Sequence, residues 1–72
     1  MNENERAIER VIELIKDGEL LIAKEYLLGY CDPDESLYAF MSGMVIGRLS
    51  IIDKQLARSF VDLYEDEMSK WF

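Results

Sequence analysis

The chain's pattern predicts an all-α fold: one domain over residues 1–72, built from four short helices arranged as two antiparallel helical hairpins. Three observations predict it. Apolar residues recur at three- and four-residue spacing in four segments, and no stretch alternates apolar with polar. Caps and breakers fall between those segments, at Gly18, at Asp32-Pro33 and between Ser50 and Asp53. A faint repeat with a period of about 34 residues, the length of a two-helix unit, sets Ala23-Lys24-Glu25-Tyr26-Leu27-Leu28-Gly29-Tyr30 against Ala57-Arg58-Ser59-Phe60-Val61-Asp62-Leu63-Tyr64. Upstream of these, Val11-Ile12 falls on Val45-Ile46, Ile15 on Leu49 and Ile22 on Leu56.

The first helix is expected over residues 4–17. Ala7, Ile8, Val11, Ile12, Leu14 and Ile15 make a broad apolar face. Glu3 and Glu5 stand near its start, where the helix dipole favours negative charge. Arg6 with Glu9, Arg10 with Glu13, and Glu13 with Lys16 are three-apart pairs on the wet face. Gly18 can take a left-handed conformation and stop the helix.

The second helix is expected over residues 19–28, with Gly29 as its end, although the repeat alignment carries it one residue further. Leu20, Ala23, Leu27 and Tyr30 form an inner stripe, which Leu21, Ile22 and Leu28 widen. A helix apolar on so many sides is either central or exposed until a partner arrives.

The third helix has the clearest start signal. Asp32 suits a cap, Pro33 the first helical position, and Glu35 the closing residue of a capping box. It continues through Leu37, Tyr38, Phe40, Met41, Met44, Val45 and Leu49. Ala39, Gly43 and Gly47, each four apart, form a ridge of small residues. Close approach of another backbone, from inside the fold or from a partner, would explain two helical glycines.

Ser50 or Asp53 caps the fourth helix, which runs to about residue 70. Leu56, Phe60, Leu63 and Tyr64 point inward with Ala57 and Val61 beside them, and Asp62, Glu65, Asp66 and Glu67 form an outer acidic cluster. Trp71-Phe72 either folds back on the core or inserts into a neighbour.

The repeat resembles the tetratricopeptide family, with Ala23 and Ala57 at the small position of the second helix. That resemblance implies stacked hairpins. The large aromatic and the glycine of the family's first helix are replaced by Ala7 and Val11 in one copy and by Met41 and Val45 in the other. The closing proline is missing as well. The family is therefore not assigned, and only the helical pair used twice is retained.

Half of the 72 residues are apolar, the net charge is −7, and histidine is absent. Half is a high apolar share for so small a domain, and it points to surface covered by another chain, with a homodimer as the expectation. Dispersed acids speak against direct nucleic-acid or membrane binding, both of which need clustered Lys and Arg. The single cysteine, Cys31, excludes an internal disulfide and suits a reducing compartment. With a charged start and no apolar run of membrane-spanning length, the expected location is the cytoplasm.

No catalytic, cofactor or metal site is expected. Asp32, Asp34 and Glu35 lack the longer alternation of ligands around a glycine that calcium needs. Cys31 has no histidine to generate a thiolate. Glu65 and Asp66 have no pocket to separate their pKa values. The expected function is that of a small acidic protein-interaction module, such as an adaptor, chaperone-like subunit or inhibitor, binding through an apolar helical face. Tyr26, Tyr30, Met41, Met44, Trp71 and Phe72 are the expected apolar contacts, with Asp62, Glu65 and Asp66 as an acidic rim. The alternatives are an acidic nucleic-acid mimic that blocks a DNA-binding enzyme, and a purely self-assembling structural subunit.

Overall fold

A computed structural model describes residues 2–32 and 34–69, with side chains described through Leu63. Four helices follow one another: α1 (Glu3–Lys16), α2 (Leu20–Tyr30), α3 (Ser36–Ile52) and α4 (Lys54–Ser69). The described residues contain no strand. Short connections join α1 to α2 and α3 to α4, and these two pairs make the most extensive contacts. They are the two hairpins.

The helix ends follow from local chemistry. The Asn2 side chain accepts a hydrogen bond from the Glu5 backbone N–H at 2.8 Å and caps α1. Gly18, at φ +84°, closes the same helix. Its N–H donates to the Ile15 carbonyl, and the Glu19 N–H donates to that of Leu14. This is the crossed pair of bonds that a left-handed glycine permits. Asp53 serves two helices at once. Its N–H donates to the Leu49 carbonyl at 2.7 Å and ends α3, while its carboxylate accepts from the Gln55 N–H at 2.9 Å and starts α4. Ser50 does not cap, because its hydroxyl donates to the Ile46 carbonyl one turn back.

Two boundaries differ from expectation. Gly29 does not end α2, which continues to Tyr30. Gly29 lacks a positive φ, and the residues after it are held: the Tyr30 hydroxyl donates to Asn4 Oδ1, and Cys31 is buried. The third helix begins at Ser36, not beside Asp32. The Glu35 N–H donates to the Asp32 carbonyl in an isolated turn, and Glu35 then takes an extended conformation with no side-chain cap. Pro33 lies outside the described residues.

The core is continuous. Ala7, Ile8, Val11, Leu14 and Ile15 of α1 meet Ala23 and Leu27 of α2, Tyr38, Met41, Val45 and Leu49 of α3, and Ala57 and Phe60 of α4. Helix α1 packs on all three other helices, and α4 does the same, whereas α2 and α3 touch only marginally. The chain thus closes as a small bundle. Helices α2 and α3 stand at the far corners of the bundle, each giving one side to the core.

Candidate functional site

The outer sides of α2 and α3 are where the apolar excess goes. On α2, Leu21 (67% exposed), Ile22 and Tyr26 face away from Ala23 and Leu27. On α3, Tyr38, Met41, Val45 and Leu49 take the core side. Phe40 (55% exposed), Gly43, Gly47 and Ile51 (88% exposed) lie on the other side, with Met44 half-buried at its edge. Exposed apolar residues are ordinary singly; here several are grouped along one face of each helix.

The α3 face carries no charge. The helix has one charged residue, Arg48, and it turns toward α1, where Nη2 donates to both carboxylate oxygens of Glu5 at 3.0 Å. Partial exposure of both side chains limits this pair to about 1 kcal/mol or less. Its consequence is geometric: it removes a cation from the outer face.

The small-residue ridge is solvent-facing. A Cβ added at Gly43 or Gly47 would meet no described atom within 4 Å. Among the described residues the glycines therefore serve no close helix crossing. Ser42, beside them in sequence, is fully buried, and its hydroxyl has no hydrogen-bond partner among the described residues.

A groove of about 540 Å³ runs beside the α3 face, between the end of α3 and the start of α4. Ile46, Ala57 and Val61 supply its apolar lining, and Ser50, Lys54, Gln55, Arg58 and Asp62 its polar one. Sequence reading did not single out Lys54 and Arg58. The signal that could have found them is their position one turn apart, just after the Asp53 cap.

The expected contact residues separate. Tyr26 is exposed on the α2 face and Met44 is half-buried on the edge of the α3 face. Tyr30 is half-buried, with its hydroxyl given to Asn4. Burial first, then the nearby Glu3 carboxylate, pushes its phenol pKa up. Met41 is corrected outright. It is completely buried among the core residues and cannot touch a partner in the folded chain. Asp62 is exposed beside the groove. Glu65 and Asp66 lie on α4, but their side chains, like the whole of Trp71 and Phe72, lie outside the described residues.

Cys31 is buried, and its thiol donates to the Leu27 carbonyl at 3.7 Å. Burial, then Glu35 and Asp32, raise its pKa and keep it protonated near neutrality. Among the described residues no three Asp, Glu, Cys or His side chains converge on a point that could hold a metal ion. None of the described helices is long and apolar enough to cross a membrane. No protein-family model matches the chain, and no curated protein or solved structure is significantly similar to it.

Proposed function

We propose that this chain is a small acidic protein-interaction module that acts by occupying another protein's surface and not by catalysis. One observation carries the reading. Outside the core formed by the described residues, large apolar side chains remain grouped, among them Leu21, Ile22 and Tyr26 on α2 and Phe40 and Ile51 on α3. Burying such a face on a partner recovers hydrophobic free energy that folding leaves unused, at roughly 25 cal/mol per Å² before the costs of association. Tyr26 is the anchor of the α2 face, because a phenol contributes a large apolar area and keeps a polar tip. Asp62, exposed beside the groove, is the described member of the acidic rim proposed to bias partner choice and speed encounter with basic surfaces. Self-association belongs to the same reading, as does a cytoplasmic setting in which Cys31 stays reduced.

The test compares the wild-type chain with a Leu21→Ser/Ile22→Ser double variant as bait in the source organism's lysate, at low and moderate salt. The reading expects a stoichiometric partner that survives moderate salt on the wild type and is lost from the variant. If nothing distinguishes the two baits, the α2 face is not the docking surface.

A further inference from the structure

We infer that the α3 outer face is a self-association surface, on which a second copy of this chain docks its own α3 antiparallel across a two-fold axis. The inference rests on reading the exposed apolar faces as docking surfaces, and it assigns one of them an occupant. Three observations select a second copy.

The first is spacing. Phe40, Met44, Gly47 and Ile51 follow one another at four, three and four residues, which is the seam of a helix pair. With the axis between Val45 and Ile46, Met44 of each copy lies over Gly47 of the other, and Phe40 lies against Ile51. A flexible knob meets an open hollow at the centre, and two large side chains meet at each end. No described atom lies within 4 Å of a Cβ added at Gly47 or Gly43.

The second is the absence of charge. The chain carries −7, so two copies repel unless they meet where no charge stands. The seam meets that condition, because Arg48 is turned inward to Glu5.

The third is complementarity at the ends. Asp34 and Glu35 are exposed at the start of α3. Lys54 and Arg58 are exposed just beyond its end, on the groove, flanked by the exposed Asp53 and Asp62. An antiparallel pairing brings Asp34 and Glu35 of each copy toward Lys54 and Arg58 of the other, twice by symmetry. A parallel pairing would bring the two Asp34–Glu35 pairs together instead. Two-fold pairing is isologous and closes at the dimer, so it builds no filament.

The test is sedimentation equilibrium of the full chain over a range of concentrations, with circular dichroism on every variant. The wild type is expected to pass from monomer to dimer and stop there. Ile51→Glu, at a side chain almost wholly in solvent, should raise the dimer dissociation constant about 30-fold or more while leaving the helical signal unchanged. Lys54→Glu/Arg58→Glu should weaken the dimer, and Asp34→Lys/Glu35→Lys should do likewise. In an equimolar mixture of those two variants both end contacts again join opposite charges, one in the native sense and one reversed, so the mixture should associate more tightly than either alone. A wild-type chain that stays monomeric to millimolar concentration overturns the inference. So does a dimer indifferent to Ile51→Glu, or a mixture no tighter than its components. A monomer that still captures a partner through Leu21 and Ile22 would sink this inference alone. A dimer with no other partner would sink the α2 reading alone.

Discussion

Replacing glycine by alanine should have opposite signs at Gly18 and Gly29. Both glycines stand near helix ends in the sequence, and the structure separates them. Gly29 lies inside α2, lacks a positive φ, and has no described atom within 4 Å of an added Cβ. Alanine there removes the helix-interior cost of glycine, about 0.8–1 kcal/mol. One residue from the helix end, the gain is about 0.5–1 kcal/mol, a rise in Tm of roughly 2–8 °C for a domain of this size. Gly18 also has open space, but its φ is +84°. A Cβ in that conformation costs about 1–2 kcal/mol. Reduced freedom of the unfolded chain returns about 0.4–1 kcal/mol. The net loss is about 1 kcal/mol, a fall in Tm of roughly 4–8 °C. Thermal and urea melts followed by circular dichroism, at one fixed low protein concentration, measure both. Equal shifts of the same sign would refute the reasoning, because space alone would then govern and backbone conformation would not.

Other substitutions test single features. Asp53→Ala should cost about 1–2 kcal/mol, because it frees the Gln55 N–H, whereas Asp53→Asn keeps an acceptor and should stay near wild type in a urea melt. Ser42→Ala should be neutral or stabilising by up to about 1 kcal/mol, since it deletes a buried hydroxyl without a described partner and favours the helix. Alkaline pH should destabilise the chain. The folded-state pKa values of Cys31 and Tyr30 lie above their ordinary values, so the folded form binds more protons. The resulting stability is fully present below each group's unfolded pKa and is lost as pH rises through the folded one. Melts stepped upward through that range should show the decline, and Cys31→Ala should remove the thiol's share of it.

Sequence patterns reveal an element when one side differs chemically from the other. Helix α1 is the clear case. Its charged residues flank a stripe from Ala7 to Ile15, and the core takes that stripe, with Ile12 at its edge. Helix α3 has no such contrast. Phe40 and Met41 are equally apolar, so periodicity does not reveal which one faces inward, and Met41 was expected outside. The bundle decides, because α1 and α4 both pack on the side that holds Tyr38, Val45 and Leu49. The Asp32-to-Glu35 cap misled for a related reason. Those four residues satisfy a local rule, but the helix starts only after an extended Glu35, with Tyr38 set into the core. The groove at Lys54 and Arg58 depends on how α3 meets α4 across a single residue, and no one-dimensional pattern encodes that.

Phe40 and Met41 also provide the sharpest separation of folding from docking. They are adjacent in sequence, both apolar, and opposite in fate: Met41 is wholly buried and Phe40 is more than half exposed. Truncating Met41 to alanine opens a cavity in a core shared by four helices, at about 2–5 kcal/mol. A domain of 72 residues has a total stability of only about 4–10 kcal/mol at the usual stability per residue. Met41→Ala should therefore bring the chain close to unfolding at ordinary temperatures. Phe40→Ala removes surface the fold does not use, so the monomer should change by about 0.5 kcal/mol or less, with helix propensity in its favour. Its effect should appear in association instead, because Phe40 closes each end of the proposed seam. Urea melts at low concentration report the first quantity, and sedimentation reports the second. If Phe40→Ala unfolds the monomer, α3 has been placed with the wrong side inward, and every docking argument built on its outer face fails with it. If Phe40→Ala leaves both quantities unchanged, the orientation stands and the seam does not.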